Sequence, residues 1–255
     1  ALLIGGLLPA LSTARKSAEA VSALAAVRSL QQSHALYAND FNGAAIPGFL
    51  AFDDPSMANV RDEFGTPLTF SLFAQRWPYR LGPYFEFTWE GTTHIGNRAE
   101  VLEGRIDQIE SEQSFFGWTY DVSIYPSFGL NYLYVGGDYR NQSLISQGYH
   151  VDRVENALRP SSLLVFASSR FDNGQVQEDG HLIVRPPELG TVYDPNANTR
   201  GLDTAYGYLH ARYQNKTAVG WLDGHASSET PDDLMDRTLW ANPAARTGDA
   251  EWEPQ

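Results

Sequence analysis

No cysteine occurs among the 255 residues, so disulfide scaffolds, thiolate catalysis and cysteine-held zinc are excluded. Basic residues are scarce: 18 Lys and Arg stand against 31 Asp and Glu, a formal charge of −13. No Lys/Arg run is dense enough to neutralise a phosphate backbone, which argues against nucleic acid as a partner. Long apolar runs are missing too. A spanning helix needs about 20 apolar residues, and the uncharged opening stretch, Ala1 to Leu11, is shorter and holds Gly5, Gly6 and Pro9. A secretion signal would need a basic region ahead of it and a small-x-small site after it, and neither is well formed here. With no initiator methionine, the chain is expected to begin partway through a longer apolar segment. G-x-S-x-G, P-loop and G-x-G-x-x-G sequences are also absent.

What is present begins with a helical pattern from Ala10 to about Tyr37. Val21, Leu24, Val27, Leu30, His34 and Tyr37 recur at steps of three or four, among many alanines. Asn39-Asp40-Phe41-Asn42-Gly43 supplies a stop. One helix over residues 1–38 would be about 57 Å long, more than a compact domain needs. Gly5, Gly6 and Pro9 are expected to weaken or kink it.

After Gly43 the texture changes to short apolar runs punctuated by Gly, Pro, Asn and Asp. A short helix is expected near Leu68–Gln75 and a strand ending at Trp89. Further strands are expected in SFGLNYLYVGG, SSLLVFASS, GHLIVRP and KTAVGWLDGHASSE. SRFDNGQVQEDGHL reads as a hairpin connection, and a short helix is expected from about Pro231. The fold class is therefore α+β: a long N-terminal helix, residues 1–42, packed on an antiparallel β-sheet head with long irregular loops, residues 43–255.

Candidate chemistry is thin. Asp223-Gly224-His225 reads as a strand ending in a tight turn rather than a catalytic group, and no histidine pair has ligand spacing. The acids Asp53, Asp54, Glu110, Glu112, Asp232 and Asp233 are read as solvated faces, although paired acids could serve glycoside hydrolysis. The many Trp and Tyr side chains could form a sugar platform. Asp194, Asn196 and Asn198 alternate like the first ligands of a calcium loop, with Asp203 a further oxygen. Thr199 stands where such a loop has glycine and Ala205 where it has a bidentate glutamate, so an Asx-rich turn is the competing reading.

Several segments, taken in order, resemble the type IV pilin-like and pseudopilin family, most closely its planctomycete-type members with a prepilin cleavage/methylation segment. The opening LLIGGLLPALSTARKSA, with LQQSHALYANDFNGAAIP, is similar to that family's N-terminal helix. FGLNYLYVGG resembles its Y-G-x-N-Y segment, and RPSSLLVFASS its x-P-S-x-x-x-x-F-A-D-S strand. RYQNKTAVGWLDGH resembles its C-terminal R-H-x9-D-G-H strand, in the persons of Tyr213, Asp223 and Gly224. Tyr213 stands where the family has histidine, and His210 lies three residues earlier.

The resemblance implies a non-enzymatic subunit of an extracellular or envelope-spanning helical filament, a surface pilus or secretion pseudopilus. It would be anchored in the inner membrane before assembly and handled there by the pilus or secretion machinery. Its main partner would be itself: Leu2, Leu3, Ile4, Leu7, Leu8 and Leu11 would pack in the filament core, with Gly5, Gly6 and Pro9 as the local break. The leader and the family's assembly glutamate are expected ahead of Ala1. No cofactor is implied beyond the calcium that some pseudopilin heads carry. The alternative is a membrane-anchored minor pilin or adhesin-like module whose head binds carbohydrate or surfaces; a secreted hydrolase is a third reading.

Overall fold

The computed structural model describes residues 2–68, 72–96, 98–100, 112–172, 177–178, 180–194 and 202–254; among these the side chains of 2–8, 112–116, 172, 177–178 and 202–203 are not described. Helix α1, Leu2–Asp40, is 39 residues long, about 58 Å at 1.5 Å per residue. Its Ala- and Leu-rich sequence favours helix throughout. The stop falls where the turn residues lie: Asn42 and Gly43 adopt φ of 54° and 86°, and the Gly43 amide donates to Ala38 O at 2.6 Å. Left-handed residues of this kind satisfy the last carbonyls of a helix. Helical structure continues through Gly5, Gly6 and Pro9, so the single chain does not unwind there. Pro9 lies inside the helix, where it removes one intrahelical hydrogen bond without ending the helix.

The head is built on a five-stranded sheet. Its strands are β1 (Phe128–Asn131), β2 (Leu164–Ser168), β5 (Ile183–Val184), β6 (Thr217–Trp221) and β7 (Ala226–Glu229), in the order β5-β1-β2-β6-β7. The expectation of an antiparallel sheet needs correction: β1 and β5 run parallel, and the sheet is mixed. The chain from β2 to β5 passes through the small hairpin β3 (Phe171–Asp172) and β4 (Gln177–Glu178), which brings β5 back in β1's direction. That hairpin lies where turn chemistry placed a connection.

Both faces of the sheet are covered, and β2 and β6 are buried along their whole length, as expected of strands flanked on two sides. α1 lies on one face, against β2, β6 and β7. Val27, Leu30, Phe128, Val165, Phe166 and Ala218 form that core. Val165 and Phe166 are consecutive yet share it, because the ladder shifts between Leu164 and Phe166, and a bulge turns two neighbours to one side. The other face carries Leu164, Val219 and Trp221 under Leu234, Trp240 and Ala244 of the C-terminal segment. That segment folds as short helical turns ending in the helix Asn242–Thr247. A satellite core lies beside the sheet, where Leu50, Met57, Tyr79, Trp89, Trp118 and Val122 meet.

Two local expectations are corrected. The segment ending at Trp89 is not a strand: residues Gly82–Phe85 form a 3-10 turn, and Glu86 and Phe87 are both left-handed at 53° and 54°. Its aromatic side chains pack on one another instead, Trp89 meeting Phe85 at 5.2 Å and Phe87 at 5.7 Å between ring centroids. On α1, Val21 is 66% exposed; the buried stripe is Ala23, Ala26, Val27, Leu30, His34 and Tyr37. The short helix expected before Gln75 is present as Leu72–Gln75.

Candidate functional site

α1 divides into two environments. From Ala23 to Ala38 its stripe is sealed into the head, and the approach to β6 is close. A Cβ on Gly220 would stand 2.6 Å from Gln31 Nε2 and 3.0 Å from Val27 Cγ2, so only glycine lets the helix axis come this near. At the helix end, His34 Nε2 accepts the amide of Ile46 at 3.3 Å, tying the returning chain to the helix. This requires an unprotonated ring nitrogen, and complete burial lowers the His34 pKa to about 4.

The other half meets almost nothing. Residues 9–19 are all exposed, and Leu11 is 68% exposed. The arm's hydrogen bond to the head is Gln214 Nε2 to Ser17 Oγ at 3.1 Å. Beyond it the described contacts are within the helix: Arg15 to Glu19 at 2.9 Å, and Thr13 Oγ1 to Pro9 O at 3.0 Å. From Ser17 back to Leu2 the helix extends roughly 22 Å. Leu2, Leu3, Ile4, Leu7 and Leu8 lie along this arm with Gly5, Gly6 and Pro9; their helical backbone is described and their side chains are not. Among the described residues no helix is long and apolar enough to cross a membrane.

The C-terminal motif proves to be two turns, one at each end of β6, the strand on which α1 packs. Tyr213 is buried in the α1-facing core and exchanges backbone hydrogen bonds with Lys216 at 3.2 and 3.0 Å. Between them Gln214 and Asn215 have φ of 56° and 62°, the paired left-handed geometry of a tight hairpin. At the far end of β6, Gly224 adopts φ of 95°, and no atom would meet a Cβ there. Backbone conformation, not space, therefore requires glycine. Asp223 Oδ1 accepts the His225 amide at 3.1 Å and lies 2.6 Å from His225 Nδ1. Both side chains are exposed, and the pair closes the turn.

The strand motifs are likewise accounted for by backbone hydrogen bonds. Asn131 Nδ2 donates to Leu164 O and Trp240 O at 3.0 and 2.9 Å, joining β1, β2 and the C-terminal cover. Ser168 Oγ donates to His210 O at 2.9 Å and accepts the Ala218 amide at 3.1 Å. His94, His181 and His210 are desolvated, which lowers their pKa values to about 3, 3 and 2. Of the acid pairs, Asp54 caps a 3-10 turn through the Ser56 amide at 2.8 Å, and Asp233 Oδ2 accepts the Thr230 amide at 3.1 Å while its own amide donates to Thr230 Oγ1 at 3.2 Å. Glu110 lies outside the described residues, as does the side chain of Glu112.

The calcium candidate is only partly within view. Asp194 is described, its amide 3.3 Å from Tyr206 Oη. Asn196 and Asn198 lie outside the described residues, and Asp203 is described in its backbone alone. Among the described residues no three His, Asp or Glu side chains converge to hold a metal ion.

Sequence patterns missed a cavity of about 460 Å³ at the head end of α1, where Tyr37 and Phe41 meet Tyr84, Arg80 and the 56–65 loop. The aromatic residues were visible singly, but nothing in their spacing joined residues some 40 positions apart.

Compared with protein-family models, with curated proteins and with solved structures, the chain matches none.

Proposed function

We propose that this chain is a type IV pilin-like or pseudopilin subunit, which polymerises through the arm of α1 into a helical filament. The observation that carries the reading is the division of one continuous helix. Its second half is sealed into an α+β head, and residues 9–19 of its first half are exposed on every side, Leu11 among them. The likeness of the N-terminal helix and of three head segments to that family supports the same reading.

The physics of assembly is simple. An arm that carries no charge from Ala1 to Leu11, and bears Leu2, Leu3, Ile4, Leu7, Leu8 and Leu11, gains on the order of 10 kcal/mol if these side chains leave water together. Identical arms packed side by side supply that environment. Because the arm of one copy meets a different surface on the next, the contact is heterologous, and a rotation that does not close gives an open helix. Gly5 and Gly6 would let neighbouring backbones approach, and Pro9 would let the arm bend out of line. Before assembly the arm would sit at the inner membrane, within reach of the pilus or secretion machinery. The acidic head would face outward, its charge limiting association between heads.

Electron microscopy of the full-length protein tests this. A regular filament with residues 1–38 in its core is expected. A monodisperse particle with the arm intact, under conditions that keep the head folded, overturns the reading.

A further inference from the structure

We infer that the cavity at the head end of α1 is a binding site for an uncharged sugar, taken as a pyranose ring at the end of a glycan. The inference goes beyond filament assembly and does not rest on it, because it uses the last turn of α1 and not the arm.

The cavity's volume, about 460 Å³, falls in the ~300–1,000 Å³ range of small-molecule pockets. Tyr37, Phe41, Tyr79, Tyr84 and Phe87 give it several aromatic walls. Tyr37 and Phe41 stack at 4.4 Å and 24°. Tyr84 meets Tyr37 edge-on at 5.8 Å and is fixed there by its hydroxyl on Asp40 Oδ2 at 3.0 Å. Phe41 is 49% exposed at the mouth, an aromatic face held in place but not covered.

Charge decides the class of ligand. Arg61 and Arg80 stand on the lining with Asp62 and Glu63, so the formal charges cancel. Most of this charge is already engaged. Arg61 Nη1 donates to Gly65 O at 3.2 Å, and Arg80 Nη2 to Gly48 O and Gln75 O at 3.4 and 3.3 Å. Asp62 Oδ1 accepts the amides of Phe64 and Thr66 at 2.9 and 2.7 Å. Glu63 accepts the Trp118 indole, and burial pushes its carboxyl pKa up. An ion of either sign would shed water to enter and meet a charge of its own sign on the wall.

What remains unused includes a donor and an acceptor on two deeply buried residues, beside Tyr79 Oη and one Glu63 oxygen on the same lining. Arg80 Nη1 and Asp62 Oδ2 make no hydrogen bond of good geometry, although both residues are more than nine-tenths buried. The Tyr37 hydroxyl is near enough to Arg80 to help keep the guanidinium charged. Exposed Ser56 and Asn59 add neutral polar groups at the mouth. An apolar ligand would leave these groups unanswered. A sugar ring has apolar C–H faces for the aromatic walls, and hydroxyls on its edge that donate and accept together.

The full chain, titrated with cellobiose, N,N′-diacetylchitobiose and maltose, gives the test by tryptophan fluorescence and saturation-transfer NMR. N-acetylneuraminic acid and choline serve as charged comparators. Saturable binding of at least one neutral disaccharide is expected, weakened about tenfold by Phe41→Ala and unchanged by Val192→Ala at a remote exposed site. The inference is overturned if no neutral disaccharide binds, if only a charged comparator binds, or if binding ignores Phe41→Ala. It is also overturned if Phe41→Ala alters sedimentation rather than sugar binding, since the occupant is then protein. An unaltered chain that forms filaments but binds no neutral disaccharide would sink this site alone, and one that binds sugar but forms no filaments would sink the assembly reading alone.

Discussion

The two halves of α1 share one backbone geometry and meet opposite surroundings. From Ala23 to Ala38 buried side chains alternate with exposed ones, and Gly220 on β6 lets the strand come up against Gln31 and Val27 of the helix. From residue 9 to 19 every position is open to water, and Leu11 and Val21 have no partner commensurate with their size. A helix gains most of its stability from packing one face, so the first half borrows its order from the second. The difference teaches where each kind of substitution should register: in folding for the inner half, in association for the outer.

The sharpest contrast comes from truncating the packed stripe. Leu30→Ala should cost about 2–5 kcal/mol of folding stability, because Leu30 is fully buried between α1 and the sheet. Chemical denaturation measures it, and a loss below about 1 kcal/mol would mean that the stripe is not the core. Acid should separate the halves next. His34 is neutral in the fold, with its pKa lowered to about 4 by burial, and takes up a proton near pH 6.5 when unfolded. Unfolding therefore binds the proton, and the stabilisation present above pH 6.5 is lost as pH falls toward 4. His34 accounts for a loss on the order of 3 kcal/mol, read as the difference between wild type and His34→Gln in denaturation midpoints at pH 7 and pH 4.5, because buried His94, His181 and His210 lower stability in acid in the same sense.

Smaller effects probe the approach itself. Gly220→Ala should cost about 1–3 kcal/mol by overpacking, since its Cβ would collide with Gln31; an unchanged melting temperature would show that α1 slides freely over β6. At the low end, Leu11→Ala should leave stability within about 0.5 kcal/mol, yet reduce filament yield measured by pelleting. A Leu11 variant that destabilises the head would erase the distinction between the halves.

Much of this organisation was legible in short stretches. The stop after Asp40 and the β6–β7 connection follow from turn residues that act within a few positions. The phase of α1 was not legible. Alanine lines the helix on several sides, so the apolar spacing admits more than one facing stripe, and Val21 was placed on the wrong one. The segment ending at Trp89 misled for a related reason: its alternating aromatics suit a strand, but Phe85, Phe87 and Trp89 pack on one another. Of the leucines and isoleucine expected in a filament core, Leu11 is open to water.

By itself the sequence determined the long helix and its end, the strand-rich head, and the glycine at position 224, because propensity and turn geometry act locally. Only the tertiary structure decided the parallel pairing of β5 with β1, the bulge that turns Val165 and Phe166 to one side, and the contact of Gly220 with Gln31. It also decided that Tyr37, Arg80 and Asp62 share a cavity. These features join residues far apart in the chain, and no local preference carries that information.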